Sequence, residues 1–302
     1  MRARATLRGV LATLALLFAL GAAGAHAADT TLRVALLLPN GALGGPYKQA
    51  AYGKTLASKL GAALGRPARA LVFATAAQLD RAIAGGRIDI AVVDPLYYTT
   101  HRKRHALRAI AIATHRGATS RRWGLYSKST TSASLLGKTI AIARSGGPDL
   151  DFVARVLFAG VAPLDRLFSR VRRVRTASNA IAAVKFGQAD CAVAPVADHG
   201  LELRVGLGRF INPIMVAVRR SLDLPAARRA ALATKLPGAV FDGWHAVGVE
   251  TTRALARLEK PLLAPRLVAD APLLSAGAVR RLDRRDMRLA PSTLAGYLGR
   301  RR

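Results

Sequence analysis

TAAQLDRAIAGGRIDIAVV, residues 75–93, and TASNAIAAVKFGQADCAVA, residues 176–194, are two versions of one pattern. Aligned without gaps, Thr75 faces Thr176, Ala82 faces Ala183, Gly86 faces Gly187 and Asp89 faces Asp190, after which Ala91 and Val92 face Ala192 and Val193. Each copy reads as a threonine able to cap a helix, a helical run, a glycine that stops it, an aspartate and an apolar strand. Ala–Val matches come cheaply in an alanine-rich chain, but Thr, Gly and Asp held at one spacing do not. A repeat offset of roughly 100 residues is too long for a solenoid and implies two similar lobes.

Reading outward, the apolar run Leu32–Leu38 ends at Pro39-Asn40-Gly41, and its counterpart Thr139–Ala143 ends at Arg144-Ser145-Gly146-Gly147. Gly44-Gly45-Pro46 starts a helix that runs to about Leu64, with Gly65 as its cap. Ala70–Phe73 and Ile88–Val93 read as strands on either side of a helix over Ala76–Ala84. The expected class is α/β with two lobes, each a mainly parallel sheet flanked by helices. The apolar runs Leu107–Ala113 and Ile211–Val218 are expected to cross between the lobes as two hinge strands. Lobe I then comprises 28–115, lobe II 116–210, and 211–302 completes lobe I with a helix near Leu224–Lys235 and ends in a basic tail.

Composition narrows the class. The chain has 302 residues, 51% of them hydrophobic, which excludes wholesale disorder. Its single cysteine, Cys191, excludes an internal disulfide and a multi-cysteine zinc site, and reads as a small buried hydrophobe in mid-strand. With 47 Lys+Arg against 17 Asp+Glu, a net charge of +30 favours anionic ligands. Arg2, Arg4 and Arg8, the apolar run Val10–Ala23 and Ala25-His26-Ala27 read as a secretory signal cut after Ala27. The expected product is exported to the periplasm, since no later run reaches the roughly 18 apolar residues needed to span a bilayer. Aromatics at 5% argue against nucleic-acid binding. No nucleophile elbow, P-loop or HExxH pattern points to an enzyme. His101 and His105 have a metal-compatible spacing, but between them stand Arg102, Lys103 and Arg104, so a solvated basic helix face is expected, with no metal and no cofactor.

AIAGGRIDIAVVDPLYY at 82–98, LLGKTIA at 135–141 and AVKFGQAD at 183–190 carry a resemblance. Across about 32–220 the chain resembles periplasmic solute-binding proteins of ABC importers, most closely the phosphonate/phosphate/phosphite-binding branch of the type II periplasmic binding protein fold. The resemblance implies a monomer that captures a small oxyanion between its lobes and hands it to an inner-membrane permease. The alternative is a ligand-sensing receptor of the same fold, for a sulfonate or other small molecule, partnering a sensor kinase. The family's Ser/Thr-rich loop in lobe II keeps only Ser145 here, and the acidic residue that holds an ammonium group is at best displaced to Asp198, so an aminophosphonate is not specifically implied.

Ligands of such sheets bind beyond the carboxyl ends of the strands. In lobe I this selects Asn40 and Tyr47 on the first loop, Thr75 at the second, and Asp94, Tyr97 and Tyr98 at the third. In lobe II it selects Arg144, Ser145, Gly146 and Gly147, with Thr176 and Asn179 at the next helix start. The glycines let backbone N–H groups approach an anion, and Arg144 could add a bidentate contact. Thr75 and Thr176 are equally explained as caps, the tyrosines as helix packing, and Trp123 as interlobe packing. Asp94 is awkward beside an anion and is expected to cap a helix or position an arginine.

Overall fold

Both threonines of the repeat start helices in the same way. Thr75 accepts a hydrogen bond from the Gln78 N–H and Thr176 from the Asn179 N–H. At the far ends Gly86 and Gly187 take φ of 62° and 71°, a left-handed turn that glycine adopts without a Cβ penalty. The two aspartates then repeat one further contact. Asp89 Oδ2 accepts from the Arg33 N–H at 2.7 Å, and Asp190 Oδ2 from the Thr139 N–H at 2.8 Å. The internal repeat is thus a repeat of hydrogen bonds as well as of residues.

The computed structural model describes residues 31–40, 43, 46–130, 137–144, 149–158 and 164–259. Its elements are β1 (Leu32–Leu37), α1 (Pro46–Ala63), β2 (Ala68–Val72), α2 (Ala76–Ala84), β3 (Ile90–Val93), α3 (Pro95–His101) and β4 (Arg108–Thr114), followed by β5 (Ser120–Ser127), β6 (Lys138–Ala143), α4 (Asp149–Phe152), a π-helical turn (Val153–Leu157), α5 (Leu164–Leu167), β7 (Phe168–Val174), α6 (Ala177–Lys185), β8 (Cys191–Pro195) and β9 (Glu202–Ile211), and finally β10 (Ile214–Ala217), α7 (Leu224–Ala233), β11 (Gly243–Ala246) and α8 (Val249–Glu259).

The strands form two sheets, ordered β11-β4-β10-β3-β1-β2 in lobe I and β7-β6-β8-β5-β9 in lobe II. In each, the repeat supplies three parallel strands, β2-β1-β3 and β7-β6-β8. The sheets are mixed, because β10 and β5 enter from the opposite lobe and pair antiparallel with β3 and β8. β1 and β3 are buried along their whole length, as central parallel strands covered on both faces must be.

Of the two runs expected to cross between lobes, Ile211–Val218 does, passing from the end of β9 in lobe II to β10 in lobe I, whereas Leu107–Ala113 stops short of its crossing. Residues 108–114 and 214–217 both lie in the lobe I sheet, and the crossings are the short links 115–119 and 212–213. An apolar run signals burial and not which sheet does the burying. In the first link His115 and Ala118 exchange both backbone hydrogen bonds around a tight turn whose central residues, Arg116 and Gly117, have φ of 49° and 77°. In the second, the fully buried Asn212 donates its side-chain amide to the carbonyls of Ala113 and Ala118. One amide therefore ties the two crossings together. The signal segment, the residues from 260 onward, and the candidate loop Ser145, Gly146 and Gly147 lie outside the described residues.

Candidate functional site

The carboxyl ends of β1, β3, β6 and β8 point towards the junction of the lobes. There Asn40 and Leu96 of lobe I meet Trp123, Ile142, Ala143, Asp149, Phe152, Val153 and Val193 of lobe II around a narrow crevice. Trp123 and Phe152 pack edge to face at 5.7 Å, which fixes the aromatic wall. The π-helical turn begins at Val153, one residue beyond Phe152, and irregularities of this kind are frequent at functional sites.

A polar network stands on the lobe I side. Asp94 caps α3 by accepting from the Leu96 N–H at 3.0 Å, and its Oδ2 accepts from Asn40 Nδ2 at 2.9 Å. Arg121, on β5, donates Nη2 to the Asn40 carbonyl at 3.0 Å and Nε to Asn212 Oδ1 at 3.0 Å. Its guanidinium also lies 4.9 Å from the centroid of the Phe241 ring in lobe I. Burial pushes the Asp94 carboxyl up to about 6; the hydrogen bonds from Leu96 and Asn40 and the charge of Arg121 oppose this, while Asp149 adds to it. Burial likewise lowers Arg121 to about 10 against the opposing pull of Asp94. A second link between the lobes is the bond from the Ala177 N–H, in the first turn of α6, to the Pro39 carbonyl at 3.1 Å.

The residues selected from sequence fall in different places. Asn40 is on the pocket wall and Asp94 is directly behind it. Tyr97 and Tyr98 turn into the lobe I core, where Tyr97 donates its hydroxyl to Asp80 at 2.6 Å; Leu96 is the α3 residue that reaches the pocket. Thr75 is held in a capping box with Gln78, and Thr176 is bonded to Asn179, donating its hydroxyl to Asn179 Oδ1 at 2.7 Å. Tyr47 is 86% exposed. Arg144 is exposed, with its backbone N–H bonded to Val174. Arg121, Asp149 and Phe152 were not selected; Asp149 lies two residues beyond the selected Gly147, and Arg121 lies two residues before Trp123 on a strand whose role depends on the hinge.

A further expectation is corrected here. His101 and His105 do not form a solvated face: their side chains are 12% and 7% exposed and both approach Asp80, at 3.5 and 3.0 Å. Tyr97 stacks on His101 at 4.2 Å. The i, i+4 spacing that puts two residues on one helix face here aims them at α2. Burial would raise the Asp80 carboxyl, but hydrogen bonds from Tyr97 and His105 and the nearby imidazoles hold it below its usual value. Among the described residues no cluster of three or more His, Cys, Asp or Glu side chains is arranged to hold a metal. Cys191 is fully buried, and its thiol is pushed up to about 12, which removes it from nucleophilic chemistry.

Residues 49–205 match the family described as the ABC transporter, phosphonate, periplasmic substrate-binding protein. The chain belongs to that family. Solved structures share the fold at low identity. A binding-protein component of an ABC phosphonate transporter from Pseudomonas aeruginosa has a TM-score of 0.61 and 11% identity, over 76% of this chain and 86% of that one. PhnD1 from Prochlorococcus marinus, in complex with methylphosphonate, has a TM-score of 0.59 and 10% identity over 76% and 97%. XAC2383 from Xanthomonas citri, bound to ATP, has a TM-score of 0.58 and 15% identity over 76% and 96%. No curated protein matches the chain in sequence. Among the described residues no helix of this phosphonate-binding family member is long and apolar enough to cross a membrane.

Proposed function

We propose that the protein is exported, captures a small oxyanion of the phosphonate, phosphate or phosphite kind between its lobes, and presents it to an ABC importer permease. The observation that carries this reading is a pocket walled jointly by Asn40 and Leu96 of one lobe and Trp123, Asp149 and Phe152 of the other. Such a wall is complete only when the lobes are together, so ligand binding and closure are linked. Entry requires parting of the two interlobe bonds, Arg121 to Asn40 and Ala177 to Pro39. The candidate anion cradle remains Arg144, Ser145, Gly146 and Gly147, which follow β6 in sequence, with Thr176 and Asn179 at the start of α6. The family and the net charge of +30 favour an anion. Calorimetric titration of the purified chain with methylphosphonate, phosphate and phosphite tests the reading. Saturable heat at one site per chain is expected, and silence across the panel would overturn it.

A further inference from the structure

The two sheets end in four outer strands, β11 and β2 in lobe I and β7 and β9 in lobe II. β2 carries one arginine, and β9 carries charges of both signs. β7 carries Arg170, Arg172 and Arg173 and no acidic residue. It pairs with β6 on one side, and among the described residues no strand pairs with its other side. The Arg144 N–H bonds to the Val174 carbonyl at 2.8 Å, so the Val174 backbone faces β6. Alternation along the strand then turns the N–H and C=O groups of Val171 and Arg173 outward, where they form a template for a further strand. Side chains alternate as well. Val171 packs on the core beneath one face of the sheet, and Val174 on the α6 core beneath the other. Arg173 stands on the Val171 face. Arg170 and Arg172 stand on the α6 face, where Arg172 donates Nη2 to Gln188 Oε1 at 2.9 Å. Arg170 and Arg173 are exposed, and among the described residues none of the three arginines pairs with a carboxylate.

We propose that β7 docks an extended acidic segment of another protein, which joins the lobe II sheet as an added strand and sets carboxylates against Arg170, Arg172 and Arg173. In such an addition the main-chain bonds supply affinity and the side chains select the partner. A second copy of this chain is disfavoured, because β7 against β7 opposes arginine to arginine. The residues from 260 onward carry ten basic and three acidic side chains, so this edge repels them too. A flat anionic surface, such as a lipid leaflet, meets one face of a strand. Here the cations stand on both faces of an edge with outward backbone groups, which suits an extended chain lying alongside it. A single charge keeps an edge from pairing with its own kind. Three of one sign, with no carboxylate to offset them, also choose what does pair.

The test uses the full chain and a fluorescein-labelled peptide with the β7 sequence in which glutamate replaces each arginine. Fluorescence anisotropy should rise along a saturable curve that weakens with added salt. Hydrogen exchange at the Val171 and Arg173 amides should slow on binding. Methylating alternate amide nitrogens of the peptide keeps its charge and removes its ladder, and should weaken binding at least about tenfold. The double variant Arg170→Glu, Arg173→Glu should weaken binding of the unmethylated peptide by a similar factor, with thermal unfolding and the methylphosphonate titration unmoved. The wild-type comparison of the two peptides stands even if that variant fails to fold. No anisotropy change, or binding indifferent to N-methylation, overturns the inference. So does arginine-dependent binding to phosphatidylglycerol vesicles with the peptide left unbound.

Discussion

Asp89 and Asp190 occupy the same place in the repeat, yet they carry different loads. Asp190 holds one backbone N–H, that of Thr139 on β6. Asp89 is buried, accepts from the Arg33 backbone and side chain at 2.7 and 3.3 Å, and also pairs with Arg219 at 2.9 Å. Asp89→Ala removes the acceptor of the buried Arg33 backbone and side chain and of the more exposed Arg219, and should cost about 3–5 kcal/mol. Asp190→Ala should cost about 1–2 kcal/mol, and urea unfolding of the two variants measures the difference. The sequence made the equivalence of the two aspartates legible, because the repeat fixes their position. It could not show the arginine partners, which come from β1 and from the segment after β10. Asp94 is a different case. Its carboxyl is raised above its unfolded value, so its contribution to stability is complete below about pH 4 and is lost as pH rises through about 6. Asp94→Asn keeps an acceptor for the Leu96 N–H but turns a second donor towards Asn40 Nδ2, and it should flatten that part of the stability–pH curve in urea melts.

At the scale of elements, local chemistry read from sequence fared best where the signal was itself local. The cap at Thr75, the helix Ala76–Ala84 and the glycine stop after it are all as their residue types dictate. Thr75→Ala removes a capping box and should cost about 1 kcal/mol in thermal or urea unfolding. Because Thr75 is fully engaged with Gln78, the same change should leave ligand affinity within a factor of two. The tyrosines of α3 show where such reading stops. Pro95 and the Asp94 cap fix the start of the helix, but which of Leu96, Tyr97 and Tyr98 meets lobe II depends on how the lobes stack. Asp80 takes the Tyr97 hydroxyl, and Leu96 joins the lobe II core. His101 and His105 were misread for a related reason: a flanking run of basic residues says nothing about the single aspartate, Asp80, packed opposite.

The molecule as a whole is two copies of one α/β unit joined by a hinge that a single amide secures. Asn212 contacts both crossings and accepts from Arg121, which reaches Asn40 at the pocket. Hinge and pocket are thereby connected through two side chains. Replacing Arg121 by Met removes one of the two interlobe backbone-directed bonds and the contact on Phe241, so the unliganded molecule should show a larger radius of gyration by solution scattering than the wild type. An unchanged radius would mean that apolar contacts around Leu96 alone set the lobe separation. The repeat announced two lobes. That one asparagine secures both links was not legible, since no local pattern marks it.

The central claim, that ligand lies at the lobe junction against Trp123, has a direct optical test. The chain contains two tryptophans, and Trp244 lies in the lobe I core away from the pocket. In a Trp244→Phe variant Trp123 is the sole indole reporter. Titration with methylphosphonate should shift its emission in a saturable one-to-one curve whose midpoint matches the calorimetric affinity. A calorimetric binding curve with Trp123 emission unmoved would place the ligand elsewhere and contradict the account.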